Sequence, residues 1–306
     1  MVKQEDGRVW LAIDIGGTRA RVAALTSFGT IFERAEVSTR QRDPAKIVDE
    51  LFEQLTSMRE SWDAQALGIS NVGLIGQQRG RNFSINFPGW QQKHVDNLVQ
   101  ALSLPFVVIN DVKAAALAEC RLGVTHGAEP GLYVNMGTGI AVSMTCHGHV
   151  FHGATGMSGE VGHWVPLRGA LVPAQDDIIE RRIGGAALDH MADLIGLTGG
   201  AQDLSRAMSS NPAAHELWKQ AVFEMARVVA NCVIMADPAV VALGGSVARN
   251  PDVVSAIENA VELFCLSVPN IAVSELGDDA GLIGAAIHAH DHFATTSGRT
   301  RGFHPQ

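Results

Sequence analysis

Asn110-Asp111-Val112-Lys113-Ala114-Ala115-Ala116-Leu117-Ala118-Glu119 marks the place where an apolar run gives way to an alanine-rich one. Ahead of it, Leu104-Pro105-Phe106-Val107-Val108-Ile109 is continuous, β-branched and aromatic, with a proline at its head and polar residues beyond it, which predicts a short buried strand. The alanine-rich residues after it predict a helix, so Asp111 falls at a strand mouth and a helix start. Two readings of Asp111 are open. It can cap the helix, as aspartate often does. It can instead face a ligand, because open α/β sheets bind ligands outside the carboxyl ends of their strands and the N–H groups of a helix N-terminus orient and ionise a carboxylate. The stretch alone is satisfied by capping; the rest of the chain turns the choice towards a ligand.

Working outward, Lys93 to Leu102 predicts a helix and Ala66 to Ser70 a strand. Before them Asp43-Pro44 opens a helix to about Trp62, with a capping residue and then proline in the first turn. Val9 to Asp14, Arg19 to Leu25 and Ile31 to Val37 predict antiparallel strands joined by turns at Gly16-Gly17 and Ser27-Phe28-Gly29. The polar segment from Asn71 to Gln92 is too long for a plain connection and is expected to serve a site. Beyond Gly131 the same order returns: strands at Leu132 to Met136, Ile140 to Cys146 and His149 to Gly153, and helices at Asp176 to Ile195 and Ala213 to Ala236. A strand at Ala239 to Leu243, a helix at Pro251 to Leu266, a strand at Asn270 to Ser274 and a helix at Gly281 to Ala294 complete it. Three antiparallel strands followed by alternating helices and parallel strands, written twice, predict two packed lobes with a cleft between them.

The bulk numbers narrow the partners. A chain of 306 residues with net charge −9 and no long basic run is not built for a nucleic-acid backbone or an anionic membrane, so small solutes are expected. Residues 1–8 are polar and lead straight into a strand, and no apolar run approaches a membrane span, so a cytoplasmic protein is expected. Cys120, Cys146, Cys232 and Cys265 stand singly, which fits reduced thiols and no disulfide framework.

A glycine turn with a threonine lies between the first and second strands of each copy: Asp14-Ile15-Gly16-Gly17-Thr18 and Asn135-Met136-Gly137-Thr138-Gly139. Either is unremarkable alone as a tight hairpin. At equivalent places in a duplicated fold they predict a pair of phosphate clamps, since glycine brings backbone N–H groups close to an anion and threonine adds a donor. Asp14 is placed to hold a hydrated Mg²⁺, and Gly244-Gly245-Ser246, between a strand and a helix, lets backbone lie against a nucleoside.

Taken together, Asp14-Ile15-Gly16-Gly17-Thr18, Asn86-Phe87-Pro88-Gly89-Trp90, Asn110-Asp111, Gly137-Thr138-Gly139, Gly159-Glu160-Val161-Gly162-His163, Leu243-Gly244-Gly245-Ser246 and the run from Leu276 to Ala286 resemble the ROK family of sugar kinases and sugar-responsive repressors, over about residues 9 to 290. The resemblance implies an α/β, duplicated actin-like ATPase fold of the ribonuclease H-like, hexokinase type, with ATP as phosphoryl donor, Mg²⁺, and a hexose between the lobes. It implies Asp111 as catalytic base, and Asn86, Asn110, Glu160, His163 and, more weakly, Glu180 as sugar ligands. The nucleotide would lie on Gly16, Gly17, Thr18, Gly137, Thr138, Gly139, Gly244 and Gly245. The first lobe is expected over 1–112, completed by the helix at about 281–294, the second over 113–280, and a frayed tail over 295–306; a homodimer is expected. The first phosphate turn begins at Asp14, leaving no room ahead of it for the repressors' winged helix-turn-helix, so the kinase branch is expected over the regulator branch or a non-catalytic sugar sensor. A carboxylate kinase on the same scaffold fits less well, since Asn86, Asn110, Glu160 and His163 suit a polyol and bring no arginine.

Two departures from the family pattern carry expectations. Trp164 to Arg182 contains none of the three cysteines that bind a structural zinc with the histidine in many members, so no zinc is expected at His163. Asn71 to Gly80 replaces a proline-glycine-proline turn with Asn71, Gln77, Gln78 and Arg79, whose amides suit an amino group. A hexose modified at carbon 2 or 3, of the kanosamine, glucosamine or N-acetylmannosamine type, is therefore expected to be preferred to glucose. The clusters His147, His149, His152 and His288, His290, His292 are expected to be surface histidines.

Overall fold

The computed structural model of the chain describes residues 7–40, 42–73, 87, 89–165 and 177–294. The chain forms two compact units, one of Met1–Ala118 with Asp278–Gln306 and one of Glu119–Gly277.

The first unit is built on a five-stranded sheet in the order β3-β2-β1-β4-β5. Strands β1 (Trp10–Ile15), β2 (Arg19–Leu25) and β3 (Ile31–Ser38) are antiparallel; β4 (Leu67–Asn71) and β5 (Phe106–Asn110) run parallel to β1. Helix α1 (Pro44–Trp62) starts as the sequence predicts, with the Asp43 side chain accepting from the Ala45 N–H and proline in the first turn. Its Ile47, Leu51, Leu55 and Met58 recur at helical spacing and are buried. Together with Leu11, Ile13, Leu67 and Ile69 from the sheet, and Val95 and Leu98 from α2 (Gln92–Leu102), they form one apolar core.

Helix α3 (Asp111–Leu122) follows β5 directly, and α9 (Ala280–Phe293) brings the C-terminal part of the chain back to this sheet. Glycine sets how closely α9 approaches. A Cβ on Gly284 would lie 1.8 Å from the Ala114 carbonyl oxygen, and one on Gly68 of β4 would lie 2.0 Å from the Ala285 carbonyl oxygen. Ala114 and Gly284 approach within the first unit, which takes in α3 as far as Ala118.

The second unit repeats the plan with order β10-β9-β6-β7-β8. Strands β6 (Gly131–Met136), β7 (Ile140–Cys146) and β8 (His149–Val150) are antiparallel, and β9 (Val240–Gly244) and β10 (Asn270–Val273) are parallel to β6. Helices α4 (Glu180–Ile183), α5 (Gly185–Leu194), α6 (Gly200–Ala207), α7 (Pro212–Ala236) and α8 (Pro251–Phe264) surround a second core in which Trp218, Met225, Val229 and Val233 of α7 meet Leu132, Val134, Val241 and Leu243. The doubled α/β plan is the one the order of elements predicts.

Three details differ from expectation, each for a tertiary reason. The single helix expected over Asp176 to Ile195 is broken at Gly184, because the Gly185 and Ala186 N–H groups donate to the Gly137 and Thr138 carbonyls at 3.0 Å each. Helix α6 is not foreseen, since it begins on Gly200 and its start is held from a distance by Asp189 Oδ1, which accepts from the Ala201 N–H at 2.9 Å. Strand β8 ends at Val150, and farther along β7 the Val142 N–H donates instead to the Gly159 carbonyl at 2.8 Å. The four cysteines are free thiols, and burial pushes the Cys232 thiol up to about 12. Among the described residues no helix is long and apolar enough to cross a membrane.

Candidate active site

Asp14 lies near the end of β1, and the sheet register puts a polar row beside it: Glu36 of β3 opposite Arg21 of β2, Arg21 opposite Asp14, and Ser70 of β4 on the other side. Ser70 Oγ–H donates to Asp14 Oδ1 at 2.6 Å, and Arg21 Nη1 stands 3.7 Å from Asp14 Oδ2. Arg21 is also paired with Glu36 at 3.2 Å and with Asp278 at 3.4 Å, and Arg34 reaches Asp279 at 3.2 Å. The start of α9 presses on the same group, since a Cβ on Gly281 would lie 2.5 Å from the Asp14 carboxyl carbon. Burial raises the Asp14 pKa above its ordinary value, against the hydrogen bond from Ser70 and the charge of Arg21. A carboxylate kept short of water, with one oxygen anchored, is a hard oxygen donor of the kind that holds a hydrated Mg²⁺. The turn after it is tied at both ends: the Gly16 N–H donates to the Arg19 carbonyl at 2.9 Å, and Thr39 Oγ1–H donates to the Gly16 carbonyl at 3.0 Å. Gly17 is half-buried and Thr18 exposed.

At the end of β5, Asn110 takes over the cap of α3: its Oδ1 accepts from the Lys113 N–H at 3.2 Å. Its Nδ2 donates to the Gly73 carbonyl at 3.1 Å and to Asp111 Oδ1 at 3.0 Å. Asp111 is half-buried in the first turn of α3 and accepts a hydrogen bond from the residue that does the capping. In the register of the sheet, Asn110 lies beside Asn71 of β4. Asn71 is 1 % exposed, and each end of its amide has a protein partner: Oδ1 accepts from Trp90 Nε1–H at 2.9 Å and Nδ2 donates to the Val72 carbonyl at 3.2 Å. This corrects the expectation that Asn71 offers its amide to a sugar; it anchors Trp90, which stacks between Phe87 and His94. Asn86 and residues 74–80, with Gln77, Gln78 and Arg79, lie outside the described residues.

In the second unit the turn Gly137-Thr138-Gly139 closes with the Gly137 N–H on the Gly139 carbonyl at 3.1 Å and sits on the N-terminus of α5. Gly245, at φ +87°, comes against it: a Cβ there would lie 2.4 Å from the Met136 carbonyl carbon and 2.7 Å from the Gly137 nitrogen. On Gly244 a Cβ would meet the Tyr133 hydroxyl at 2.0 Å. The second and third glycine turns are thus brought together, with bare backbone exactly where a side chain has no room.

Glu160 is half-buried and leads a 3-10 turn, Val161–His163, in which the His163 N–H donates to the Glu160 carbonyl at 3.0 Å. The His163 side chain is exposed. Glu180 is drawn to this turn: its Oε2 accepts from the Ile140 N–H at 3.0 Å, and a Cβ on Gly162 would lie 2.9 Å from that oxygen. Among the described residues one group, Glu129, Cys146 and His147, brings three ligand-type atoms within 4.8 Å of one another, and His163 is not part of it. His147, His149 and His152 are exposed, whereas His288 and His290 are half-buried and His290 meets Trp10 edge-on at 5.7 Å, against the expectation of a surface cluster.

Sequence reasoning did not single out Arg21, Ser70 or the pair Gly184-Gly185, and it gave Trp90 no role of its own. An arginine inside the apolar alternation of β2 was a readable signal for the first; the others are placed only by the sheet register and by tertiary hydrogen bonds.

Two copies of one mixed sheet with surrounding helices, carrying glycine turns at equivalent strand ends, define a duplicated actin-like ATPase fold. The ROK family model matches residues 10–292, and the chain belongs to the ROK family. A glucokinase of Halalkalibacterium halodurans is 27 % identical over 90 % of this chain and 93 % of its own length. The N-acetylgalactosamine kinase AgaK of Shewanella sp. is 24 % identical over 92 % of this chain and 97 % of its own. The crystal structure of a ROK hexokinase from Thermus thermophilus matches with a TM-score of 0.79 at 28 % identity, covering 94 % of this chain and 99 % of that one.

Proposed function

We propose that the protein phosphorylates a hexose or aminohexose at the 6-hydroxyl with ATP. The observation that carries this reading is the Asn110–Asp111 pair: with Asn110 Oδ1 on the Lys113 N–H, Asp111 does not have to serve as the cap, and Asn110 Nδ2 orients its carboxylate. Similarity to proteins named for glucose, N-acetylgalactosamine and hexose phosphorylation supports a sugar as acceptor.

In this reading Asp111 takes the proton of the attacking hydroxyl, a contribution of roughly 10²- to 10⁴-fold for a placed base. Both Nδ2 hydrogens of Asn110 are committed, so towards a sugar it offers the remaining capacity of Oδ1 and acts as an acceptor. Glu160 accepts, His163 donates or accepts, and Glu180, whose Oε2 accepts from the Ile140 N–H, is the weaker further contact. Asn86 is carried by the resemblance alone. Asp14 would hold Mg²⁺ through water, the backbone of Gly16-Gly17-Thr18 and Gly137-Thr138-Gly139 would bind phosphate oxygens, and Gly244-Gly245 would lie beside the nucleoside. When bound, MgATP supplies the phosphoryl group and neutralises charge as it transfers.

The test is sugar-dependent ADP release, with the product identified by ³¹P NMR, for glucose, mannose, glucosamine, kanosamine and N-acetylmannosamine under one set of conditions. Turnover of at least one hexose, abolished by chelating Mg²⁺, is expected. A higher kcat/KM for an amino- or acylamino-hexose than for glucose supports the finer substrate reading; glucose leading by about tenfold, the scale on which pockets discriminate small groups, overturns it. Tight binding of sugar and ATP without product would instead make the protein a sugar sensor.

A further inference from the structure

Glu119 is the one acidic residue in the described chain with 0 % exposure. A carboxylate so placed carries a desolvation cost that hydrogen bonds must offset. Its Oε2 accepts from the Val124 N–H at 2.9 Å, and its Oε1 accepts from Ser274 Oγ–H and from the Leu276 N–H at 3.4 Å. Ser274 Oγ accepts in turn from the Gly277 N–H at 3.2 Å. Gly123 leaves the room, since a Cβ there would lie 2.0 Å from Glu119 Oε2.

The position of this network in the chain gives it meaning. The backbone passes from the first unit to the second at Ala118–Glu119 and returns at Gly277–Asp278. Every member of the network belongs to the second unit, and one carboxylate fastens the outgoing helix to the returning segment. Each crossing leads to a candidate catalytic group. Helix α3 runs back from Glu119 to Asp111 in about two turns. The returning segment runs into Asp278 and Asp279, and Asp278 pairs with Arg21 beside Asp14.

We propose that Glu119 is a positioning residue for phosphoryl transfer: by holding residues 274–277 against the end of α3, it makes the two crossings a single joint, so that the helix of Asp111 and the turn of Asp278 and Asp279 are set together. The proposal rests on the sugar-kinase reading above. Its tie is independent of that reading, and so is one arm of the test.

Hydrogen exchange and steady-state kinetics are measured on wild type, Glu119→Gln, Gly123→Ala, Ser274→Ala and Ser274→Thr. In Glu119→Gln, Gly123→Ala and Ser274→Ala the Leu276 and Gly277 amides are expected to exchange at least about tenfold faster while α7 is unchanged, as local release predicts. In the same variants kcat falls at least about tenfold with the sugar KM within about threefold, because small misplacement of catalytic groups acts on the chemical step. Ser274→Thr keeps the hydroxyl and is expected to stay near wild type in both readouts. If Glu119→Gln does not fold, the Ser274 pair decides. Faster exchange with unchanged kcat overturns the positioning role, and unchanged exchange overturns the tie. Absence of turnover in the wild type overturns the kinase reading, and the positioning role with it, while exchange still reports whether the tie exists.

Discussion

Near the end of its central strand the first sheet carries Asp14, and at the matching place in β6 the second sheet carries Asn135. Around Asp14 the register lines up Glu36, Arg21 and Ser70; around Asn135 it lines up Ala141 and Gly244. Both sheets have the same strand order and both close the strand with a glycine turn, so the fold itself does not require a charged row. Half-burying Asp14 and Arg21 costs free energy that the second sheet avoids. A costly ionic group that the scaffold can do without is a candidate for function, in keeping with the clustering of perturbed carboxylates at functional sites. The neutral copy differs there: it places Gly244 and Gly245 where Tyr133 and Met136 leave a side chain no room. At the end of the central strand one copy carries an ionic row and the other a neutral, glycine-lined one.

The strongest way to break this comparison is to make the copies alike. Asp14→Asn is expected to lower kcat/KM by at least about 10²-fold, the scale of a lost charge-stabilising group, whereas Asn135→Ala has a much smaller effect. Equal losses would contradict the division. The same variant has a pH signature. Burial raises the folded-state pKa of Asp14 above 3.8, so on lowering the pH through that raised value the folded state takes up the proton first. Asp14 therefore makes wild type lose stability as pH rises through the window just above 3.8, and Asp14→Asn should lack that component. Melting temperatures of both proteins across the acid range check the sign; parallel curves would contradict it.

The glycine turns sharpen the comparison through stability. Gly245→Ala meets both a positive φ and the Met136 carbonyl, and is expected to cost at least about 2 kcal/mol in urea unfolding. Gly16→Ala has no positive φ, and its Cβ meets only the Arg19 carbonyl oxygen at 3.1 Å, so it should cost under about 1 kcal/mol. The reverse order would contradict the tighter packing of the Gly245 turn than of the Gly16 turn. At the small end, Arg34 is 64 % exposed in its pair with Asp279, and Arg34→Ala should change stability by no more than about 0.5 kcal/mol.

Much of this was legible in the chain. Strand and helix periods, the Asp43-Pro44 start of α1 and the repeated glycine turns set out the doubled sheet, because those signals are local. What the sequence concealed depends on contacts between distant residues. Gly184 interrupts a helical run only because α5 caps the Gly137-Thr138 turn, and Asn71 is withdrawn from the sugar only because Trp90 returns to it across nineteen residues. Asp111 was legible as a candidate but ambiguous, since capping and catalysis use the same residue type at the same place. The choice turns on Asn110, whose side chain takes the Lys113 N–H.

The central claim is that Asp111 serves as base while Asn110 caps, and the direct measurement is Asp111→Asn with turnover and sugar affinity determined on the same protein. The account predicts kcat lowered by roughly 10²- to 10⁴-fold, the worth of a placed general base, with the sugar Kd within a few-fold of wild type and the fold intact. Retained turnover in a folded Asp111→Asn protein would contradict it.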